Sequence, residues 1–359
     1  MSKSSIIAVT GYMGTGSSAV IDLLREYDTV KVVPEIGHTY EHVPFYFRGG
    51  LFDLYNALLH GNTPMGSDAT INRFIASMRT LNDNKFIWCG TYKELFDDLF
   101  IKINNDFISS ISTEFHALNV NHYIETSFSV SKYLRQMGSK LVRGRKIEHP
   151  GIKIVLDNNH SYFGLPTKEE LDIAAKNYTS SYFALFTANR EGYYIFDHLV
   201  LPQQIDVFAD CFEKDVKFIV VTRDPRDVFL MNKYIWYTPP IGHGKPYFPT
   251  DPESFVNLWK RMVISNYTIS NCLIVRFEDL VYQYSKTVES IEKFLGVEAK
   301  KHVYPLTELI PDKSIENTQV FNVNEEWKKE VSVIEKELTQ YLYDFPYSRK
   351  PNRNGMFDK

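Results

Sequence analysis

Four short apolar runs punctuate the chain: Ile6-Ile7-Ala8-Val9, Val30-Lys31-Val32-Val33, Phe218-Ile219-Val220-Val221 and Leu273-Ile274-Val275. Each is rich in β-branched or aromatic residues and lacks the strict polar alternation of a half-solvated strand, so each reads as a strand covered on both faces in a parallel sheet. Tyr193-Tyr194-Ile195-Phe196 is a fifth candidate. Between the first two runs, Val20, Leu23 and Leu24 share one stripe of a helix predicted over 17–27. Strand, glycine-rich turn, helix and strand make the start of a βαβ unit. Helical periodicity recurs over 52–59, 71–81, 92–107, 168–178, 254–269, 287–294 and 330–341, and turn-forming residues gather at 149–151, 158–167 and 238–252. The pattern predicts an α/β fold with a central, mainly parallel sheet flanked by helices. The span 40–190 has little strand signal and is expected to be a helical insertion on a single domain over 1–347. The polar stretch 348–359 is expected to be a loose tail.

Composition narrows the class. Hydrophobic residues make up 44% and charged residues 23%, which excludes disorder as the main state. A net charge of -4 gives no global electrostatic case for a nucleic-acid or anionic-membrane partner. No apolar run approaches the ~20 residues of a spanning helix, and the first nine residues do not form a signal peptide. Cys89, Cys211 and Cys272 are odd in number and far apart, so a disulfide framework and a CxxC metal site are both excluded. A reducing, cytoplasmic location is the expectation. His, Cys and Asp clusters at metal spacing are absent, and Glu35-x-x-His38 is not the zinc pattern HExxH, so no metal is expected. Aromatic content is 14%, and Tyr40, Phe45, Tyr46, Phe47, Phe52 and Tyr55 crowd one stretch. Such rings either build a core or line a pocket.

Three segments carry candidate chemistry. The first strand runs into Thr10-Gly11-Tyr12-Met13-Gly14-Thr15-Gly16-Ser17-Ser18, which opens the helix. Glycines let the backbone fold tightly, and successive N–H groups with the helix N-terminus make an anion nest. The plainer alternative is a turn that only caps the helix. Gly11, Gly16 and Ser18 match the spacing GxxxxGK followed by Ser or Thr, but Ser17 stands in the lysine's place. The second segment is Thr222-Arg223-Asp224-Pro225-Arg226-Asp227, where an Arg at a strand end can offer its guanidinium fork to a phosphate. The third is Arg276-Phe277-Glu278-Asp279-Leu280, with Phe294-Leu295-Gly296 downstream.

In this order the three segments resemble the PAPS-dependent sulfotransferases, with a bacterial-type late loop. The resemblance implies a P-loop-like three-layer fold and transfer of a sulfuryl group from PAPS to a hydroxyl or amine, with PAP as the product. Gly14, Thr15, Gly16, Ser17 and Ser18 would cradle the 5′-phosphosulfate, and Arg223 would hold the 3′-phosphate. The family pairs that Arg with a Ser eight residues on, where this chain has Met231; Asn232 is the substitute. Lys313 and Ser314, in Ile310-Pro311-Asp312-Lys313-Ser314 with Asn317-Thr318 beyond, would touch the 3′-phosphate side. The family's loop Lys or Arg falls on Gly14, leaving Arg48 and Lys313 as replacement cations. Arg276, Glu278 and Asp279 are expected to form a structural ion network.

The base that takes the acceptor's proton is expected just after the second strand, at Glu35, with His38 in reserve. Glu35 would stand at the carboxyl end of the sheet, where α/β ligands bind, although a first-turn helix charge is the structural alternative. His198, one segment before the strand leading to Arg223, is a candidate to face the acceptor, with a helix start capped by Asp197 as the plainer alternative; His122 with Glu125 is a weaker candidate. The acceptor is a small molecule, a glycan or a lipid, and homo-oligomer formation is left open. Two other classes compete: a P-loop nucleotide kinase, which should carry the missing lysine, and a non-catalytic PAP- or nucleotide-binding relative.

Overall fold

The computed structural model describes residues 4–33, 42–84, 91–115, 161–188, 190–236, 248–352 and 356. Their strands are β1 (Ser4–Gly11), β2 (Val30–Val33), β3 (Thr113–Phe115), β4 (Ser161–Phe163), β5 (Gly192–Asp197), β6 (Lys217–Thr222) and β7 (Cys272–Arg276). The chain divides into two compact units, Met1–His42 with Phe186–Ala209 and Glu213–Lys359, and Val43–Leu185 with Asp210–Phe212.

The first unit holds a five-stranded parallel sheet in the order β2-β5-β1-β6-β7. All five predicted runs are strands, because each places apolar side chains on both faces. Ile7, Val9, Ile195, Ile219, Val221 and Val275 share a core with Val20, Leu23 and Leu24 of α1 (Ser17–Arg25). Ala8, Phe196, Phe218 and Val220, pointing the other way, are buried as well. The chain leaves β1 for one side of the sheet and returns to its other side through β6. The crevice at the carboxyl ends of β1 and β6 is therefore the topological switch point. In register, Gly11 faces Val221 and Thr222 faces Arg276, so the candidate segments leave the sheet at one level.

The second unit contains α2 (Leu51–Leu59), α3 (Pro64–Asp83), α4 (Tyr92–Phe96), α5 (Leu99–Ile111) and most of α6 (Lys168–Thr187), with β3 and β4 paired antiparallel. Thr63 caps α3, its hydroxyl accepting from Gly66 N–H at 3.0 Å, and Pro64 pre-sets the first turn. The helix predicted over 92–107 is two helices, because Asp97 turns left-handed at φ 50°. The crowded aromatics are core. Phe45, Phe52 and Tyr55 are buried, Phe45 lies edge-on to Tyr182 at 4.8 Å, and Tyr92 stacks on Phe100 at 4.3 Å. Phe47 stays exposed, and Tyr40 lies outside the described residues.

Back in the first unit, α7 (Pro225–Met231) follows β6, and α8 (Pro252–Met262) ends short of the predicted Ile269. The backbone beyond Met262 finds partners other than its own helix. Ile264 N–H donates to Tyr12 Oη at 2.8 Å, and the N–H groups of Thr268 and Ile269 donate to the Asp206 carboxylate. After α9 (Phe277–Tyr282), α10 (Tyr284–Leu295) and α11 (Pro311–Ser314), the predicted last helix is a pair, α12 (Glu325–Glu330) and α13 (Ser332–Glu337). Trp327, Val331, Ile334 and Leu338 keep one buried stripe across the junction, which is why the period reads as a single helix. Among the described residues no helix is long and apolar enough to cross a membrane.

Candidate functional site

The turn after β1 is built by its own backbone. Thr15 donates its N–H and its hydroxyl to Tyr12 O, at 2.9 and 2.7 Å. Gly14 and Gly16 both sit in the left-handed region, at φ 83° and 88°. A Cβ on Gly14 would lie 2.9 Å from Asn232 Nδ2, and one on Gly16 would lie 2.8 Å from Phe277 Cδ2. These positions therefore demand glycine on both conformational and steric grounds. A Lys or Arg at position 14 would take on that left-handed backbone. Bonding within α1 begins where Ala19 N–H returns to Gly16 O, and Gly16 supplies no side-chain cap. The amides of Ser17 and Ser18 thus precede the helix ladder at its positive end.

Arg223 joins this turn to a segment some three hundred residues away. Its Nη1 donates to Gly14 O at 3.1 Å, and its Nη2 donates to Asn317 O. The guanidinium lies 4.6 Å from the Phe277 ring centre and is only 3% exposed. Burial pulls its pKa below the ordinary value, against the fields of Asp227, Glu278 and Asp224. Its Nε is buried without a partner among the described residues. Asn232, the first residue of the wider helical turn that follows α7, donates Nδ2 to Met13 O at 3.2 Å and to Val228 O at 2.9 Å. Its Oδ1 has no partner among the described residues. Lys313 and Ser314 lie on α11, Lys313 exposed and Ser314 half-buried, just ahead of Asn317. Arg48 is exposed in the second unit.

Around Arg223 lies a buried ionic lattice. Asp224 Oδ1 caps α7 through Arg226 N–H at 2.9 Å and also accepts from Arg226 Nε, while Oδ2 accepts from Arg226 Nη2. Glu278 Oε1 accepts from Asp224 N–H at 2.7 Å. Asp227 accepts from Gln319 N–H at 2.8 Å and Val320 N–H at 2.6 Å. Burial, then the neighbouring Asp224, pushes Glu278 up to about 7, and the same two causes raise Asp227. Arg276 donates to Tyr341 O and lies 3.9 Å from Glu278 Oε2, and Asp279 accepts from Tyr343 Oη, so these strand-end charges brace the chain mainly through neutral partners.

Glu35 and His38 lie outside the described residues, as do His122 and Glu125. Within them, the carboxyl end of β5 carries Asp197 and His198. His198 does not begin a helix. It takes φ 49°, donates its N–H to Val9 O of β1 at 2.9 Å, and sets Nδ1 2.6 Å from Asp197 Oδ1. A strained, non-glycine conformation at a sheet's ligand-binding edge is a functional signal. His42, fully buried and edge-on to Phe186, is instead pushed down to about 4 by burial and stays neutral. Pattern reasoning missed two contributors, Phe277 beneath the guanidinium and Asp227 beneath the late segment. Both belong to recognised segments, but nothing in a linear pattern says which neighbour a side chain will meet. Among the described residues no group of three His, Cys, Asp or Glu side chains could hold a metal ion.

The arrangement thus offers a glycine turn at a helix N-terminus, a buried guanidinium whose Nε lacks a partner among the described residues, and a late segment bonded to that guanidinium at Asn317 O. No curated protein shows a significant match to the chain. A family model described as a sulfotransferase domain matches residues 105–343, about two thirds of the length. That span takes in the Asp197–His198 pair, Arg223 with its helix, the Arg276–Leu280 segment and the late segment. On this match the chain belongs to the sulfotransferase family.

Proposed function

We propose that this sulfotransferase moves a sulfuryl group from PAPS to a hydroxyl or amine of a small-molecule, glycan or lipid acceptor. The observation that carries the reading is Arg223, which gathers the turn at Gly14 and the late segment at Asn317 around one buried guanidinium. PAPS, when bound, supplies the activated sulfuryl group and a leaving phosphate. The residues present fit its anionic groups: glycines leave the turn bare, the Ser17 and Ser18 amides stand at the helix's positive end, and Arg223 Nε is a buried donor lacking a partner among the described residues. Gly14 to Ser18 would take the 5′ side, and Arg223, Asn232, Lys313 and Ser314 the 3′ side. With glycine at position 14, the fixed backbone dipoles of the turn and the N-terminus of α1 would stabilise charge on the 5′ leaving phosphate in place of a loop cation.

Two groups compete as the base. Glu35, with His38 in reserve, follows β2. His198 follows β5, with its Nδ1 2.6 Å from Asp197 Oδ1. Calorimetry with PAP, and radiolabelled PAPS with an acceptor panel, test the reading. Wild type is expected to bind PAP and to ignore ATP with Mg²⁺; the reverse result would sink it. Arg223→Ala, checked for folding by thermal melting, should weaken PAP binding by roughly ten- to a hundredfold. Of Glu35→Gln and His198→Asn, the variant that removes the base should lower kcat by about 10²- to 10⁴-fold while leaving PAP binding intact. Full activity in both variants would refute both assignments.

A further inference from the structure

We infer that Arg349 and the backbone around it form a clasp that positions the cofactor-side segment 315–320, making Arg349 a positioning residue of the site. The segment cannot hold its own shape. It consists of single turns, Ile315–Asn317 and Val320–Asn322, following the four-residue α11. Such turns are too short to be stable alone. Between them Gln319 is held in the left-handed region at φ 54° although it is not a glycine, and it is buried. Its conformation must be imposed from outside.

Two sets of groups impose it, one earlier and one later in the sequence. From the β6 side, Arg223 donates to Asn317 O, and Asp227 accepts from the N–H groups of Gln319 and Val320. From the C-terminal side, Arg349 Nη1 donates to Ile315 O at 2.5 Å and Nη2 to Glu316 Oε1 at 2.6 Å. Arg349 N–H donates to Gln319 Oε1 at 3.0 Å, and Gln319 Nε2 returns a bond to Tyr347 O at 2.9 Å. Asn322 Nδ2 donates to Arg349 O, and Asn352 N–H donates to Glu316. Every residue from 315 to 320 except Thr318 is thus bonded directly to Arg223, Asp227 or the 347–352 stretch. Thr318 is paired through its hydroxyl with Tyr282 Oη at 2.7 Å. The fork of Arg349 reaches a carbonyl and a carboxylate two planar donors apart, a match that the single ammonium of lysine lacks. The region expected to be a loose tail contains this clasp.

The inference rests on the reading that Arg223 and the late segment hold the 3′ side of PAPS, so its test has one arm that needs no nucleotide. Hydrogen exchange of full-length wild type, Arg349→Ala and Arg349→Lys is measured without ligand. Arg349→Ala should exchange at least about tenfold faster at the Gln319 and Val320 amides, with β1 and β6 unchanged, and Arg349→Lys should recover only part. Unchanged exchange overturns the clasp. In the second arm, Arg349→Ala should raise the PAP Kd and the KM for PAPS about tenfold with kcat within about twofold. Wild-type PAP affinity with a loosened segment overturns the positioning role. If wild type itself fails to bind PAP, the cofactor reading falls and the exchange data alone decide the clasp. Should Arg349→Ala fail to fold, Glu316→Gln, which removes the charge pair but keeps the backbone bonds, must still speed exchange at Gln319 for the inference to stand.

Discussion

At position 14 the backbone conformation and a neighbouring amide settle together what the residue can be. A family-like lysine there would restore the loop cation in sequence, but it would force a left-handed backbone on a side chain and press its Cβ against Asn232. The left-handed cost is about 1–2 kcal/mol for a non-glycine residue, before any clash. Gly14→Lys should therefore lower the melting temperature and weaken PAP binding instead of improving catalysis. Combining it with Asn232→Ser should recover part of the stability, because the second change removes the obstructing amide. A Gly14→Lys protein that melts with wild type and turns over faster would show that the turn adapts. Residue types in this turn were legible from the sequence because glycine and serine have few other reasons to cluster after a buried strand. The partner that makes Gly14 obligatory was not, since Asn232 meets it only through the packing of α7.

Among elements, the start of α7 is the junction on which the site depends. Asp224 caps the helix, Glu278 at the start of α9 accepts from Asp224 N–H, and Asp227 one turn on holds the late segment. Beside Asp227, which burial and the neighbouring Asp224 also raise, Glu278 carries part of the pH dependence of this junction. Its pKa rises from 4.5 to about 7 on folding, so between those values the folded state binds a proton that the unfolded state does not. Its contribution is fully present below pH 4.5 and is lost as pH rises through about 7, a change of at most about 3 kcal/mol. Denaturant melts across pH 4–8 should show wild type losing stability toward pH 7 and Glu278→Gln following a flatter curve. Identical slopes would mean that Glu278 is ionised throughout. At this scale the sequence was most informative for strands, whose apolar runs match β1, β2, β5, β6 and β7 closely. It was least informative where side chains replace helix bonding. Asp206 and Tyr12 end the chain's helical path after Met262, and no local periodicity reports acceptors so far away in sequence.

For the whole molecule, the expectation of one domain over 1–347 remains a proposal beside the two compact units. The second unit's core is aromatic, with Phe45 in contact with Phe52, Tyr178, Tyr182 and Phe212. Phe45→Ala should cost roughly 3–5 kcal/mol. If the chain is one cooperative domain, calorimetry of that variant should show a single transition shifted as a whole; two separated transitions would divide it. The parallel sheet has a further consequence, for folding. β1 lies in the middle of the sheet, yet its first hydrogen-bonding partner, β5, begins only at Gly192, and its second, β6, at Lys217. A strand that must wait for partners more than half the chain away closes long loops before any pairing rewards it, which makes sheet formation slow. During synthesis Ile6, Ile7, Ala8 and Val9 therefore emerge with both edges unpaired. β1, buried on both faces once folded, is an apolar liability until β5 and β6 have been made, and the glycine turn it carries takes shape only once those later strands have enclosed it.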